Sequence, residues 1–307
     1  MRIPAPTPKG GPVKAQLTIP NWTRIYTGKV HDMYQPAHTL AHSGGETAML
    51  VASDRIAVLD RVLPSIIPGK GEILTRISTW WFRQLEDVVA NHYLSDNVPH
   101  EVTGRAMIVQ RLRMYPIECT VVGYMTDKAF EEYLREGRIG GVDQPAGLAL
   151  GEKLPAVLFV PALKGEVGRD DETIRFERMG EIVGTEAAER LREISLALYE
   201  RAQKIAGQKG LVIAECKLEF GASSDYGDDE FVLADQAFTP DSATYWLDDE
   251  VGGSHPRSFG KDYVRYVVQD EAREWIRGAG SPPILPKEVV DEMASRYRFV
   301  QSALMGE

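Results

Sequence analysis

Apolar and polar positions follow two rhythms along this chain, and the switches between them set out its elements. β-favouring runs over residues 47–52 and 106–112 predict strands in the first third. Between them Ile73, Ile77, Trp80, Trp81, Leu85 and Val88 recur at three- and four-residue spacing, one stripe of an amphipathic helix expected over residues 72–94. Pro116 marks an expected hinge between two lobes. Helical spacing returns over residues 176–210, through Ala187, Leu191, Ile194, Leu198 and Ala202, with Gly210 as a stop. A hairpin follows, one strand over residues 211–220 and the next over 230–235, joined by a Gly-, Ser- and Asp-rich turn. Ser281-Pro282-Pro283 breaks the chain, and Pro286 sits at a first-turn position for a helix reaching about Leu304.

Composition narrows the classes. With 307 residues, 43% of them hydrophobic, the chain can bury a large core in one big domain or two lobes, and two lobes are the expectation. A net charge of -10 excludes a general nucleic-acid or anionic-membrane binder, because those partners recruit basic faces. Residues 4–14 form a Pro-, Gly- and Lys-rich tail, expected to be mobile. No stretch resembles a signal peptide, and no apolar run reaches the ~20 residues of a membrane span. Cys119 and Cys216 show no pairing pattern, which suits a reducing compartment. The expectation is a cytoplasmic protein.

The densest chemistry lies in Ala214-Glu215-Cys216-Lys217-Leu218-Glu219-Phe220. On a strand, side chains alternate faces, so Glu215, Lys217 and Glu219 share one surface while Cys216, Leu218 and Phe220 take the other. The hairpin brings Asp235 to the same region. Carboxylates from two strands beside a lysine suit a magnesium-bound polyphosphate; an ordinary solvated strand face is the alternative. Gly28-Lys29-Val30 places a glycine and a lysine between β-like runs, as a loop over phosphates would, or as a plain hairpin turn. Ser53-Asp54-Arg55 with Asp60 is a second polar cluster, and Lys70 precedes a helix start, a natural anion site unless it merely caps the helix. His38 and His42 have metal-compatible spacing but no third ligand nearby, and Cys119 reads as a packed thiol.

Taken in order, six runs resemble the SAICAR synthetase family: Gly28-Lys29-Val30, Ser53-Asp54-Arg55-Ile56, Ile67-Pro68-Gly69-Lys70-Gly71, Pro116-Ile117-Glu118-Cys119, Lys217-Leu218-Glu219-Phe220-Gly221 and Phe238-Thr239-Pro240-Asp241-Ser242. The resemblance implies a two-lobed α+β fold. A mainly antiparallel β lobe over residues 15–115 would face an α/β lobe over 116–307 closed by the C-terminal helix, with ATP and Mg2+ in the cleft. It implies nucleotide contacts from Gly28, Lys29, Val30, Lys70, Arg111, Met114, Glu118 and Lys217. Magnesium would sit on Glu219 and Asp235, and catalysis would involve Lys217, Asp54, Arg55 and Lys164. The substrates would meet Ser53, Asp60, Lys128, Asp171, Thr244, Arg257 and Lys261. The implied reaction passes the γ-phosphate of ATP to a small-molecule carboxylate, and an amine such as aspartate then attacks the acyl phosphate. Self-association is left open.

The chain departs from the family pattern mainly on the substrate side. Val122 and Thr244 stand where arginines are usual, His31 replaces an arginine, Glu215 an aspartate, Gln236 a glutamate and Gly260 an aspartate, and Arg169-Asp170 falls in a usual His-Asp-Glu region. Losing two guanidiniums removes charged hydrogen bonds worth roughly 1.5–3 kcal/mol each toward a 5′-phosphate. The resulting expectation is a specialised relative acting on a carboxylate without the 5′-phosphoribosyl group, as in secondary metabolism. The ordinary enzyme of purine biosynthesis, holding the phosphate through Lys128, Arg169 or Arg257, is the alternative. A small-molecule phosphotransferase would instead give a stable phosphoester, and a nucleotide-binding regulatory protein would bind ATP without substrate-dependent ADP release.

Overall fold

The computed structural model describes residues 17–37, 47–58, 61–165, 171–222, 231–253, 255–268, 274–275 and 281–306. In its first half lie β1 Trp22–Thr27, β2 His31–Pro36, β3 Thr47–Ala52, the β4 Arg55–Val58 and β5 Arg61–Ile66 hairpin, α1 Lys70–Gln84, β6 Tyr93–Ser95 and β7 Ala106–Gln110. Five of the strands form an antiparallel sheet in the order β1-β2-β3-β7-β6. The tail expected to be mobile, the His38/His42 pair, Asp60, Arg169 and Asp170 lie outside the described residues.

Helix α1 buries the predicted stripe, including Ile73, Ile77 and Trp81, but stops at Gln84 where the periodicity suggests residue 94. The reason is visible in the packing. Leu85 caps the helix with a non-helical backbone, and Leu85, Val88 and Val89 still reach the core from the turn that leads into β6. Burial therefore satisfies their spacing without a helix. At its other edge α1 ties the halves together: the Trp81 indole N–H donates to the Tyr245 hydroxyl at 3.1 Å, and its ring lies 5.3 Å from that of Phe238.

The second half contains β8 Arg113–Tyr124, α2 Asp127–Glu136, the small β9 Arg138–Ile139 and β10 Val142–Asp143 hairpin, β11 Lys153–Leu163, β12 Glu172–Thr173, α3 Phe176–Val183, α4 Thr185–Gly207, β13 Leu211–Ala222, β14 Val232–Ala234, β15 Ala243–Leu247, α5 Asp262–Val267 and α6 Lys287–Met305. Its six-stranded sheet runs β12-β11-β8-β13-β14, with β15 also paired to β13. Predicted as one helix, residues 176–210 are two, broken at Gly184 with φ 92°. The hairpin forms as expected, with Glu219 opposite Ala234.

The chain crosses between the sheets at residues 111–112, not at Pro116, which lies inside β8. Glu118 pairs with Glu219 but Met114 pairs with Gly221, so β8 carries two extra residues around Pro116. A proline, having no N–H to give, is tolerated at such an irregularity.

One face of the six-stranded sheet is apolar. Ile117, Cys119 and Val121 of β8 and Cys216, Leu218 and Phe220 of β13 share one core with Leu191, Ile194, Leu198 and Ala202 of α4. Each large aliphatic side chain buried there contributes roughly 1.5–3 kcal/mol. The helix approaches closely because Gly123 has no side chain: a Cβ there would lie 1.9 Å from the Tyr199 hydroxyl, which donates to the Ile213 carbonyl at 2.7 Å. The opposite face carries the charged groups beside two smaller apolar clusters, around Val122 and Val212.

Candidate active site

Pairing register builds that charged face. Lys217 sits opposite Thr120, Glu219 opposite Glu118, and Glu215 opposite both Val122 and Thr244. Ammonium and carboxylate groups therefore alternate across neighbouring strands. The Lys217 ammonium is 2.5 Å from Oε1 of Glu118, and the Lys164 ammonium, just past β11, is 2.5 Å from Oε2 of Glu219. Burial alone would make Lys217 easier to deprotonate, but Glu118 outweighs it and raises its pKa. Burial likewise favours a neutral Glu118, yet Lys217 holds it below the usual carboxylate range. This pair is fixed in its charged form.

Glu219 behaves differently. Burial, and then the nearby charge of Asp235, push its carboxyl up to about 7 against the pull of Lys164. Asp235 follows β14 with φ 55°, a left-handed backbone that a non-glycine residue adopts only when its surroundings hold it. They do: the His92 ring donates to the Asp235 carbonyl at 3.1 Å, and the His31 ring lies 3.7 Å from its carboxylate. Among the described residues no three His, Cys, Asp or Glu side chains form a metal cage. Two hard carboxylates that repel one another suit magnesium, which keeps waters and shares its shell with phosphate oxygens.

On the facing sheet, Gly28, Lys29 and Val30 form the turn between β1 and β2. Arg55 is built into this turn as a brace. Its guanidinium donates to the Lys29 carbonyl at 3.1 Å, to the Gly28 carbonyl at 3.2 Å and in bidentate fashion to Asp32 at 3.0 and 3.2 Å. The Ser53 hydroxyl donates to the Val30 carbonyl at 2.7 Å. Asp54 accepts the Gly71 amide at 2.9 Å, at the start of α1. Ser53 and Arg55 thus shape the turn, while Asp54 ties the strand end to α1.

Other expected site residues divide into two groups. Thr244 faces the cleft beside Glu215 and donates to Asp262 at 2.5 Å, while Thr126, which caps α2, donates to Glu215 at 3.1 Å. After Lys217, the charges of Lys261 and Lys128 also pull the Glu118 carboxyl down. Asp171 accepts the Gly165 amide at 2.9 Å, next to Lys164 in the chain. Arg111 and Met114 are exposed at the crossing between sheets. The remaining two do not join them. Lys70 is fully buried, its ammonium 2.5 Å from Asp241, so it is not an open anion site. Arg257 is turned aside by Glu250, to which its side chain donates at 2.7 and 2.9 Å.

Two contacts had no local signal in the sequence. His92 supports Asp235 from a distant turn, and two of the departures noted above touch: the His31 ring meets Oε1 of Gln236 at 2.7 Å. A histidine–glutamine pair thus occupies positions where the family pattern has an arginine and a glutamate. Among the described residues no helix is long and apolar enough to cross a membrane.

The chain is similar to known proteins in both sequence and fold. The family model described as SAICAR synthetase matches residues 24–282. The phosphoribosylaminoimidazole-succinocarboxamide synthase of Leifsonia xyli subsp. xyli is 40% identical over 302 residues, covering 94% of this chain and 99% of its own. That of Thermobifida fusca is 41% identical over 297 residues, covering 95% and 94%. Among solved structures, the SAICAR synthase from Saccharomyces cerevisiae complexed with SAICAR aligns with a TM-score of 0.79 at 28% identity, covering 96% of this chain and 98% of that one.

Proposed function

This chain belongs to the SAICAR synthetase family of ATP-dependent carboxylate–amine ligases, and we propose that it makes the succinocarboxamide for which its relatives are named. The observation that carries the reading is the charged sheet face, where Lys217 stands between Glu118 and Glu219 with Lys164 and Asp235 alongside. In this reading Lys29 and Lys217 meet the phosphates of ATP, and Met114 and Arg111 border the adenine. Glu219 and Asp235 would hold the magnesium ion, which when bound neutralises phosphate charge. Lys217, kept protonated by Glu118, offsets charge developing on the transferred phosphoryl group. The carboxylate of the aminoimidazole ribonucleotide attacks the γ-phosphorus and ADP leaves. The aspartate amine then attacks the acyl carbon, losing a proton as phosphate departs. No residue forms a covalent intermediate. Buried free thiols at Cys119 and Cys216 support a reducing, cytoplasmic setting.

Identity of about 40% over 94–95% of the chain supports this ordinary reaction over the specialised one expected from the departures. One observation favours the second reading. Val122 packs with Met125, Leu158 and Val160, and the Thr244 hydroxyl is given to Asp262, so neither offers a cation to a 5′-phosphate. Lys128 and Lys261 then carry that task in the ordinary reaction. Incubation with ATP, magnesium, L-aspartate and the carboxyaminoimidazole ribonucleotide separates the two. The succinocarboxamide mass is expected; its absence, with ADP release on unphosphorylated aromatic carboxylates, would establish the second.

A further inference from the structure

We infer that Lys70 and Gly71, the first two residues of α1, clamp the two halves of the site together, with Lys70 and Asp241 as positioning residues for amide formation. The inference rests on the ligase reading given above. Consecutive residues here reach opposite sheets. The Gly71 amide donates to Asp54 at 2.9 Å, between the two residues that brace the Gly28–Val30 turn. The Lys70 ammonium lies 2.5 Å from Oδ2 of Asp241, whose Oδ1 accepts the Tyr297 hydroxyl of α6 at 2.5 Å. Asp241 belongs to the turn whose Ser242 carbonyl accepts the Lys217 amide at 2.7 Å and whose Ser242 hydroxyl donates to the Gln236 carbonyl at 2.9 Å. One turn of helix thus links the braced turn to Lys217 and to the segment after Asp235.

Both grips are rigid. A Cβ on residue 71 would lie 2.7 Å from the Ala52 carbonyl oxygen, so the helix start presses directly on the backbone of β3. Lys70 is wholly buried and its ammonium finds no partner beyond Asp241 among the described residues. An ion pair so placed is a poor source of stability, since apolar groups of similar volume often serve as well or better. What a charge pair does better is fix a separation. Misplacement of reacting groups by about 1 Å costs on the order of 100-fold in rate.

The test is the neutral double variant K70M/D241N, which removes both charges together and leaves Tyr297 an acceptor. The expected result is a melting temperature within a few degrees of the parent and a kcat for amide formation at least 10-fold lower, with KM for ATP changed less than threefold. A folded double variant with kcat within twofold of the parent overturns the inference. Should it not fold, Tyr297→Phe decides: a kcat drop of threefold or more at unchanged melting temperature supports the clamp, and unchanged kcat refutes it. If the parent releases no ADP, the functional reading fails and hydrogen exchange judges the clamp separately. Mg-ATP should then protect residues 28–31 and 239–244 together in the parent but only the first in the double variant; equal protection of both in the variant contradicts it.

Discussion

The ammonium of Lys217 and the carboxylate of Glu118 face each other at 2.5 Å across the β8–β13 ladder, each holding the other charged. Lys217→Met leaves the Glu118 carboxylate, whose side chain is only 12% exposed, without its counter-charge. A buried charge stripped of its partner costs roughly 3–5 kcal/mol, and the partial exposure here reduces that to about 2. Urea unfolding of Lys217→Met should show this loss, and Glu118→Gln in the same chain should recover part of it. ADP release should fall at least 100-fold in both, since the lysine stays absent. Recovered stability together with recovered turnover would show that Lys217 only balances Glu118.

His92 sets a pH dependence of stability. Burial lowers its pKa from 6.5 to about 4, against the pull of Asp235. Below pH 6.5 the unfolded chain takes up a proton that the folded chain refuses, so stability falls as pH drops from 6.5 to about 4 and is unaffected above that window. The contribution is on the order of 3 kcal/mol across it. His92→Gln should flatten the loss between pH 6.5 and 4.5 in denaturant titrations, and an unchanged slope would show that other groups set it.

Gly123→Ala should be among the most damaging small changes in the protein. The added methyl would meet the Tyr199 hydroxyl at 1.9 Å and push α4 from the sheet. Overpacking of this kind costs roughly 1–3 kcal/mol, and the Tyr199 bond to the Ile213 carbonyl is lost as well. Adding Tyr199→Phe should restore part of the melting temperature. Additive losses in the pair would contradict the steric account.

Much of this site is legible from residue order because its key signal is local. Glu215, Lys217 and Glu219 alternate on one strand, and the pairing of β14 with β13 delivers Asp235 beside them, so period two and one strand pairing suffice. Longer-range facts are not written that way. Lys70 reads as an exposed helix-start cation, and only the Asp241 turn, 171 positions later, makes its burial tolerable. The brace made by Arg55 is equally long-range, since the β1–β2 turn and Asp32, more than 20 positions earlier, come onto its guanidinium. Helix limits failed where apolar spacing continued through a non-helical turn at Leu85 and through Gly184. In both places the core takes the side chains whether or not the backbone is helical.

The most direct measurement follows oxygen from the carboxylate to the phosphate. With the acceptor carboxylate carrying 18O in both oxygens, turnover with ATP, magnesium and L-aspartate should release one 18O per inorganic phosphate and leave one in the amide. That result requires phosphorylation of the carboxylate before the amine attacks. Phosphate without label, at full amide yield, would contradict the account.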